Sequence, residues 1–126
     1  MSERTRLVPA GERKHETTQT AGMTRDEAVR TATMWAGTAT TTGHTFSGWH
    51  HHGEYESVIF VQQGRVRLEF GAAGRDVLEA SPGDTLYVAP GEIHREGNPG
   101  DETSVIIVVR GGKGEIVVNV PGPASS

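Results

Sequence analysis

Cysteine is absent from the 126 residues, which excludes disulfides and thiolate metal ligands and gives no sign of an oxidising compartment. Long apolar runs are missing too. The longest, Val105–Val109, is far too short to span a bilayer, and Met1 to Ala10 holds no apolar stretch of signal-peptide length. The expectation is a soluble, cytoplasmic protein with no membrane partner. Basic charge is not in excess: 12 Lys and Arg stand against 16 Asp and Glu, a formal charge of −4, and the charges are dispersed. Phosphate binding usually shows a clustered basic patch, so no nucleic-acid partner is expected. No internal repeat, low-complexity domain or helix-turn-helix segment appears, and a chain of this length makes one domain.

What the chain has in quantity is glycine. Seventeen glycines and six prolines at short intervals supply the tight turns of an all-β protein. Arg65–Phe70 alternates without a break, so Val66, Leu68 and Phe70 face a core and the charges face solvent. Gly71–Gly74 makes a turn, Asp76–Glu79 a return strand, Ser81–Asp84 another turn and Thr85–Val88 a further strand ending at Pro90-Gly91. Val105–Val109 is apolar on both faces and β-branched, which predicts a strand covered on both sides, with part of its second face a subunit interface. Ile116–Val120 reads as the last strand and Thr38–Thr42 as β-prone. Residues 1 to about 22 read as a flexible arm, or as a strand ordered by a partner. Thr24-Arg25-Asp26-Glu27 has capping-box spacing and predicts a short helix of about two turns through Arg30. The resulting division is an arm with a short helix over 1–31, a barrel over 32–120 and a tail over 121–126.

Three adjacent histidines, His50-His51-His52, are followed by Glu56 and later by Pro90-Gly91-Glu92-Ile93-His94. On a strand, residues i and i+2 share a face, so His50 and His52 can converge on one ion while His51 points away. Two or three neutral imidazoles with a carboxylate suit one divalent iron, manganese, nickel or zinc ion at an open site.

These residues resemble the two motifs of the cupin superfamily, G-x5-H-x-H-x3/4-E-x6-G and G-x5-P-x-G-x2-H-x3-N, over roughly residues 32 to 120. The second runs from Gly83 through Gly91 and His94 to Asn98, with only its proline displaced, by one residue to Pro90. The first gives His50, His52, Glu56 and Gly64, and its leading glycine is off by one at Gly43. The resemblance implies a small single-domain, RmlC-like double-stranded β-helix (jelly-roll barrel) and a metal held by His50, His52, Glu56 and His94. One departure leaves two arrangements open. Glu56 satisfies the shorter x3 spacing but leaves seven residues before Gly64, whereas the longer spacing falls on Ser57. Either a bulge after Gly53 turns Glu56 inward, or Ser57 faces inward and three histidines hold the ion with water.

Each other candidate has a plain reading beside the sharp one. His44 shares parity with the histidines but lies too far along a strand, and His15 lies in the arm. Tyr55 and Glu54 sit between the ligands and are the candidate proton donor or base, or else rim residues. Trp35 and Trp49 fill core or interface, while Phe46, Trp49, Phe60 and Tyr87 could line an apolar pocket around the ion. Asn98 ties a turn, and Arg65, Arg67 and Arg95 read as solvated charge.

By the same resemblance, the chain binds a small oxygen-rich molecule in the barrel mouth and transforms it, with non-haem iron or manganese dioxygenase-type chemistry foremost. A zinc, nickel or manganese isomerase or lyase is the second reading, and a non-catalytic small-molecule or metal sensor the third; fold alone does not choose. Small cupins commonly pair through their outer sheets, so a homodimer is expected.

Overall fold

The computed structural model describes residues 3–16, 23–113 and 117–124. Its strands are β1 (Lys14–Glu16), β2 (Thr24–Arg30), β3 (Met34–Thr41), β4 (Thr45–Phe46), β5 (His50–His51), β6 (Glu56–Gln63), β7 (Val66–Phe70), β8 (Asp76–Ala80), β9 (Thr85–Val88), β10 (His94–Asn98), β11 (Ser104–Gly111) and β12 (Val118–Asn119). The first sheet has the order β1-β2-β3-β11-β6-β9. The second runs β12-β5-β10-β7-β8, with β4 also on β10. All pairs are antiparallel. This is the expected all-β jelly roll.

Alternation builds the interior. β3 and β6 bury every second residue, so Trp35 and Ala39 from one and Ile59 and Val61 from the other meet Ile106 and Val108 of β11 inside. Val66 and Leu68 close the core from the second sheet, with Phe70 partly buried against it. Each large aliphatic side chain so covered contributes roughly 1.5–3 kcal/mol relative to exposure. On β11 the second face is not covered within one chain: Ile107 and Val109 stay exposed, on the face where the sequence placed part of a subunit interface.

The predicted helix is not formed. Thr24–Arg30 is strand β2, paired along β3 from Thr24↔Thr40 to Arg30↔Trp35, and among the described residues before it the helical content is a 3-10 turn at Ala10–Glu12. The capping-box signal is local and favours a helix of only about two turns, which is marginal by itself. Pairing with β3 gives the same residues a ladder interrupted by a bulge between Glu27 and Val29, and buries Arg25. The Glu27 carboxylate meant for the cap accepts from Arg30 Nε instead, at 2.7 Å. The arm is also more ordered than expected, since β1 pairs with β2 of its own chain; positions 1, 2 and 17–22 of the arm lie outside the described residues. Of the predicted last strand, β12 occupies Val118–Asn119 and Ile116 is outside the described residues, as are 125 and 126 of the tail.

Candidate metal centre

Two strands of the second sheet bring the histidines together. His50 on β5 is directly opposite His94 on β10, and His52 follows His50 at the same parity. All three are buried. Their rings approach with centroids 4.4 Å apart for His50 and His94 and 5.0 Å for each pair with His52. The fourth member is Glu96, two residues after His94 on β10 and so on the same face, 3 % exposed. One potential ligand atom from each of His50, His52, His94 and Glu96 lies within 4.8 Å of all the others. Two opposite ligands with bonds of about 2.1 Å to one ion would stand about 4.2 Å apart, so the cluster is of the size a metal site needs.

The imidazoles are oriented for ligation. His50 Nδ1 bonds to the Gly48 carbonyl at 3.0 Å and His94 Nδ1 to the Glu92 carbonyl at 2.8 Å. A carbonyl only accepts, so both protons sit on Nδ1 and both Nε2 lone pairs face the cluster. Among the described residues, His50 Nε2, His94 Nε2 and Glu96 Oε2 are buried without a hydrogen-bond partner, an expense proteins rarely tolerate without a purpose. Glu96 Oε1 stands 3.7 Å from His50 Nε2 and 4.0 Å from His94 Nε2, too far for hydrogen bonds, so the contact is electrostatic. These donors fit a divalent transition ion.

Electrostatics sets the protonation states. Burial, then the like charge that His50 carries when protonated, pushes His94 down to about 4, so its imidazole is neutral at pH 7. Burial by itself would raise Glu96. The two imidazoles and the Arg25 guanidinium outweigh it and hold the carboxyl below the ordinary carboxylate range, so Glu96 is anionic. Arg25 and Arg110, from β2 and β11 of the facing sheet, are themselves buried at 1 % and 2 % exposure.

Glu56 is not part of this cluster. It is exposed on the outer face of β6, where Tyr87 Oη donates to its carboxylate at 2.9 Å. Ser57 takes the inward position, 1 % exposed. The reason is a turn at Gly53, whose φ of +59° lets the chain double back so that Tyr55 N donates to His52 O at 3.0 Å. Parity restarts beyond that turn, with Tyr55, Ser57, Ile59 and Val61 inward. Of the candidate proton donors, Tyr55 is buried in the core and Glu54 is exposed.

The aromatic pocket does not form as expected. Phe60 and Tyr87 are exposed on the outer face of the first sheet, and Phe46 and Trp49 stack on the Arg95 guanidinium, 5.6 and 5.1 Å from its centre. Arg95 lies at the opposite parity to His94 and Glu96. Its Nε donates to Glu69 at 2.6 Å, beside Arg67 Nε at 2.8 Å, and Arg65 pairs with Glu79. His44 and His15 lie elsewhere, each 2.6 Å from an aspartate, Asp101 and Asp26. Asn98 is buried and ties its turn, donating to the carbonyls of Thr41 and Glu102 and accepting from Gly100 N.

The family is decided by the match of the Cupin domain family to residues 38–110, more than half of the chain. This chain is a cupin. Solved structures agree on the fold. An uncharacterised conserved protein with a double-stranded β-helix domain from Klebsiella pneumoniae superposes with a TM-score of 0.73 at 16% identity, covering 93% of this chain and 98% of its own. The polyketide cyclase RemF from Streptomyces resistomycificus gives 0.72 at 20% identity, over 93% of this chain and 86% of its own. KdgF from Halomonas sp. gives 0.70 at 16% identity, over 86% of this chain and 96% of its own. No curated protein matches the sequence.

Proposed function

We propose that this cupin binds one divalent transition ion through His50, His52, His94 and Glu96, and transforms a small oxygen-rich molecule that reaches the same interior. The observation that carries the reading is the set of four buried donor groups, with the protons of His50 and His94 already held on their far nitrogens. When bound, an iron or manganese ion with this ligand set supplies Lewis acidity and redox capacity at open coordination positions, the requirement of dioxygenase-type chemistry. The chain's own part is to fix the imidazoles through Gly48 and Glu92, to keep Glu96 anionic, and to hold the reacting groups away from bulk water. Tyr55, being interior, is the proton donor this reading favours over Glu54.

The test is turnover by protein reconstituted separately with iron, manganese, nickel and zinc, against catechols, 1,3-diketones and 2-oxo acids, with oxygen uptake recorded. Metal-dependent oxygen uptake, abolished in His94→Ala, is the expected result. Conversion without oxygen uptake would move the assignment to an isomerase or lyase, and binding without conversion would overturn the enzymatic reading in favour of a sensor.

We also propose a homodimer through the outer face of the first sheet. Val58, Phe60, Tyr87, Ile107 and Val109 are each 38–56% exposed, and the register sets them side by side: Val109 beside Val58, Val58 beside Tyr87, and Ile107 beside Phe60. Such a contiguous apolar patch suits a protein partner. A sedimentation mass of twice 13.5 kDa is expected and should fall in a Phe60→Lys, Ile107→Lys variant; a wild-type mass near one chain contradicts it.

A further inference from the structure

The interior carries more positive charge than the fold explains. Arg110 on β11 faces inward at the parity of Ile106 and Val108, where the alternation calls for an apolar residue, and is 2 % exposed. Its guanidinium lies over the Trp35 ring, 4.8 Å from the centroid, which fixes its plane. Among the described residues its Nε and Nη1 are buried and find no acceptor. Ser57, the residue paired with Arg110 across β6, likewise has a buried hydroxyl without a partner among the described residues. Arg25 adds a second buried guanidinium. The charges of Glu96 and Glu16 act favourably on both cations, and ligation of a dication would engage Glu96. A buried N–H left unsatisfied costs stability, and two idle donors on a permanently charged group cost more than one neutral group would. Neither Trp35, under the guanidinium, nor Ser57, its partner across the ladder, satisfies those two donors.

A guanidinium edge and a neighbouring hydroxyl, both donors and both waiting, match one kind of ligand. Arginine's planar fork binds carboxylate in two parallel hydrogen bonds, and a serine hydroxyl can donate a third. Arg110 enters the interior from β11 of the first sheet, and the quartet is buried in that interior from β5 and β10 of the second. We propose that Arg110 and Ser57 form the anion-binding half of the site, receiving the carboxylate of a small carboxylic acid whose adjacent keto or hydroxyl oxygen faces the His50, His52, His94 and Glu96 cluster. This deepens the proposed function, on which the second half of the statement rests: the substrate class is a 2-oxo or 2-hydroxy acid, recognised from two sides, by guanidinium and by metal. Only the carboxylate end depends on Arg110.

The experiment separates the two halves. Pyruvate is titrated into 15N-labelled protein, metal-free and zinc-loaded, while the Arg110 Nε–H resonance is followed, with uncharged pyruvamide as the control and zinc content measured on the same samples. The Arg110 signal is assigned by its loss in Arg110→Lys. Pyruvate should shift it and pyruvamide should not, and pyruvate affinity should fall about tenfold or more in Arg110→Lys, which keeps the charge and loses the fork, with zinc stoichiometry unchanged. Ser57→Ala should weaken pyruvate binding with its thermal midpoint near wild type, which keeps the idea testable should Arg110→Lys fold poorly. Absence of a pyruvate shift in both forms, or an equal response to pyruvamide, overturns the carboxylate site whatever the zinc content. A pyruvate shift in protein that binds no zinc would leave the carboxylate site standing and overturn the metal reading.

Discussion

Replacing Glu96 by glutamine should separate the ligand the structure favours from the one the motif spacing suggested. Glu96 is the buried anion nearest the imidazoles, 3.7 Å from His50 Nε2 and 4.0 Å from His94 Nε2, and its charge also acts on Arg25 and Arg110. Removing one side of a buried charge set costs about 3–5 kcal/mol, because the remaining charges lose their compensation without regaining water. Removal of a group that merely supports a ligand lowers metal affinity about 10–100-fold. A direct anionic ligand should cost at least the upper end of that range, so about 100-fold, or roughly 2.7 kcal/mol. Glu56→Gln provides the contrast. Glu56 is exposed and accepts from Tyr87, so the substitution is a surface change worth about 0.5 kcal/mol or less. Urea unfolding of metal-free protein and zinc competition against a chromophoric chelator measure both quantities on both variants. Metal affinity that falls in Glu56→Gln and holds in Glu96→Gln would refute the reasoning outright.

Two further outcomes follow from the same geometry. In metal-free protein His94 is held down to about 4, whereas an unfolded histidine titrates near 6.5; the unfolded chain therefore takes up the proton first. The stability tied to neutral His94 is complete above about pH 6.5 and is lost as pH falls towards 4, amounting to about 2 kcal/mol by pH 5. Chemical denaturation at pH 7 and 5 should show that loss in wild type and a smaller one in His94→Gln, and equal slopes would refute it. At Gly97 on β10, a Cβ would overlap the Phe46 ring, so Gly97→Ala should cost about 1–3 kcal/mol by overpacking and disturb the Phe46 and Arg95 stack. An unchanged unfolding midpoint would contradict that close approach.

Most of the barrel was legible because alternation is a property of the strand itself. Val66, Leu68 and the flanking turns carry their own signal, and β7, β8, β9 and β11 fall where it places them. The second strand was not legible, since Thr24 and Glu27 offer the chain a local helix cap within four residues, and only pairing along the whole of the following strand β3, out to Thr40, decides against it. Three of the four clustered donors could be read from the histidine pattern. The carboxylate could not be settled by spacing, because the turn at Gly53 resets which residues of β6 face inward. A signal for Glu96 was nevertheless present: it lies two residues beyond His94, at the same strand parity. The same logic marks Arg110, a charged residue at an inward position of an apolar strand, while Arg25 was hidden by the helix assigned to its segment.

Metal content is the most direct test of the central claim. Tag-free protein purified without chelators, analysed by elemental mass spectrometry beside His52→Ala and His94→Ala, should carry one transition-metal ion per chain in wild type and none in either variant. A wild type that holds no stoichiometric metal, before or after reconstitution, or variants that hold as much as wild type, would contradict the assignment of His50, His52, His94 and Glu96 as a metal centre.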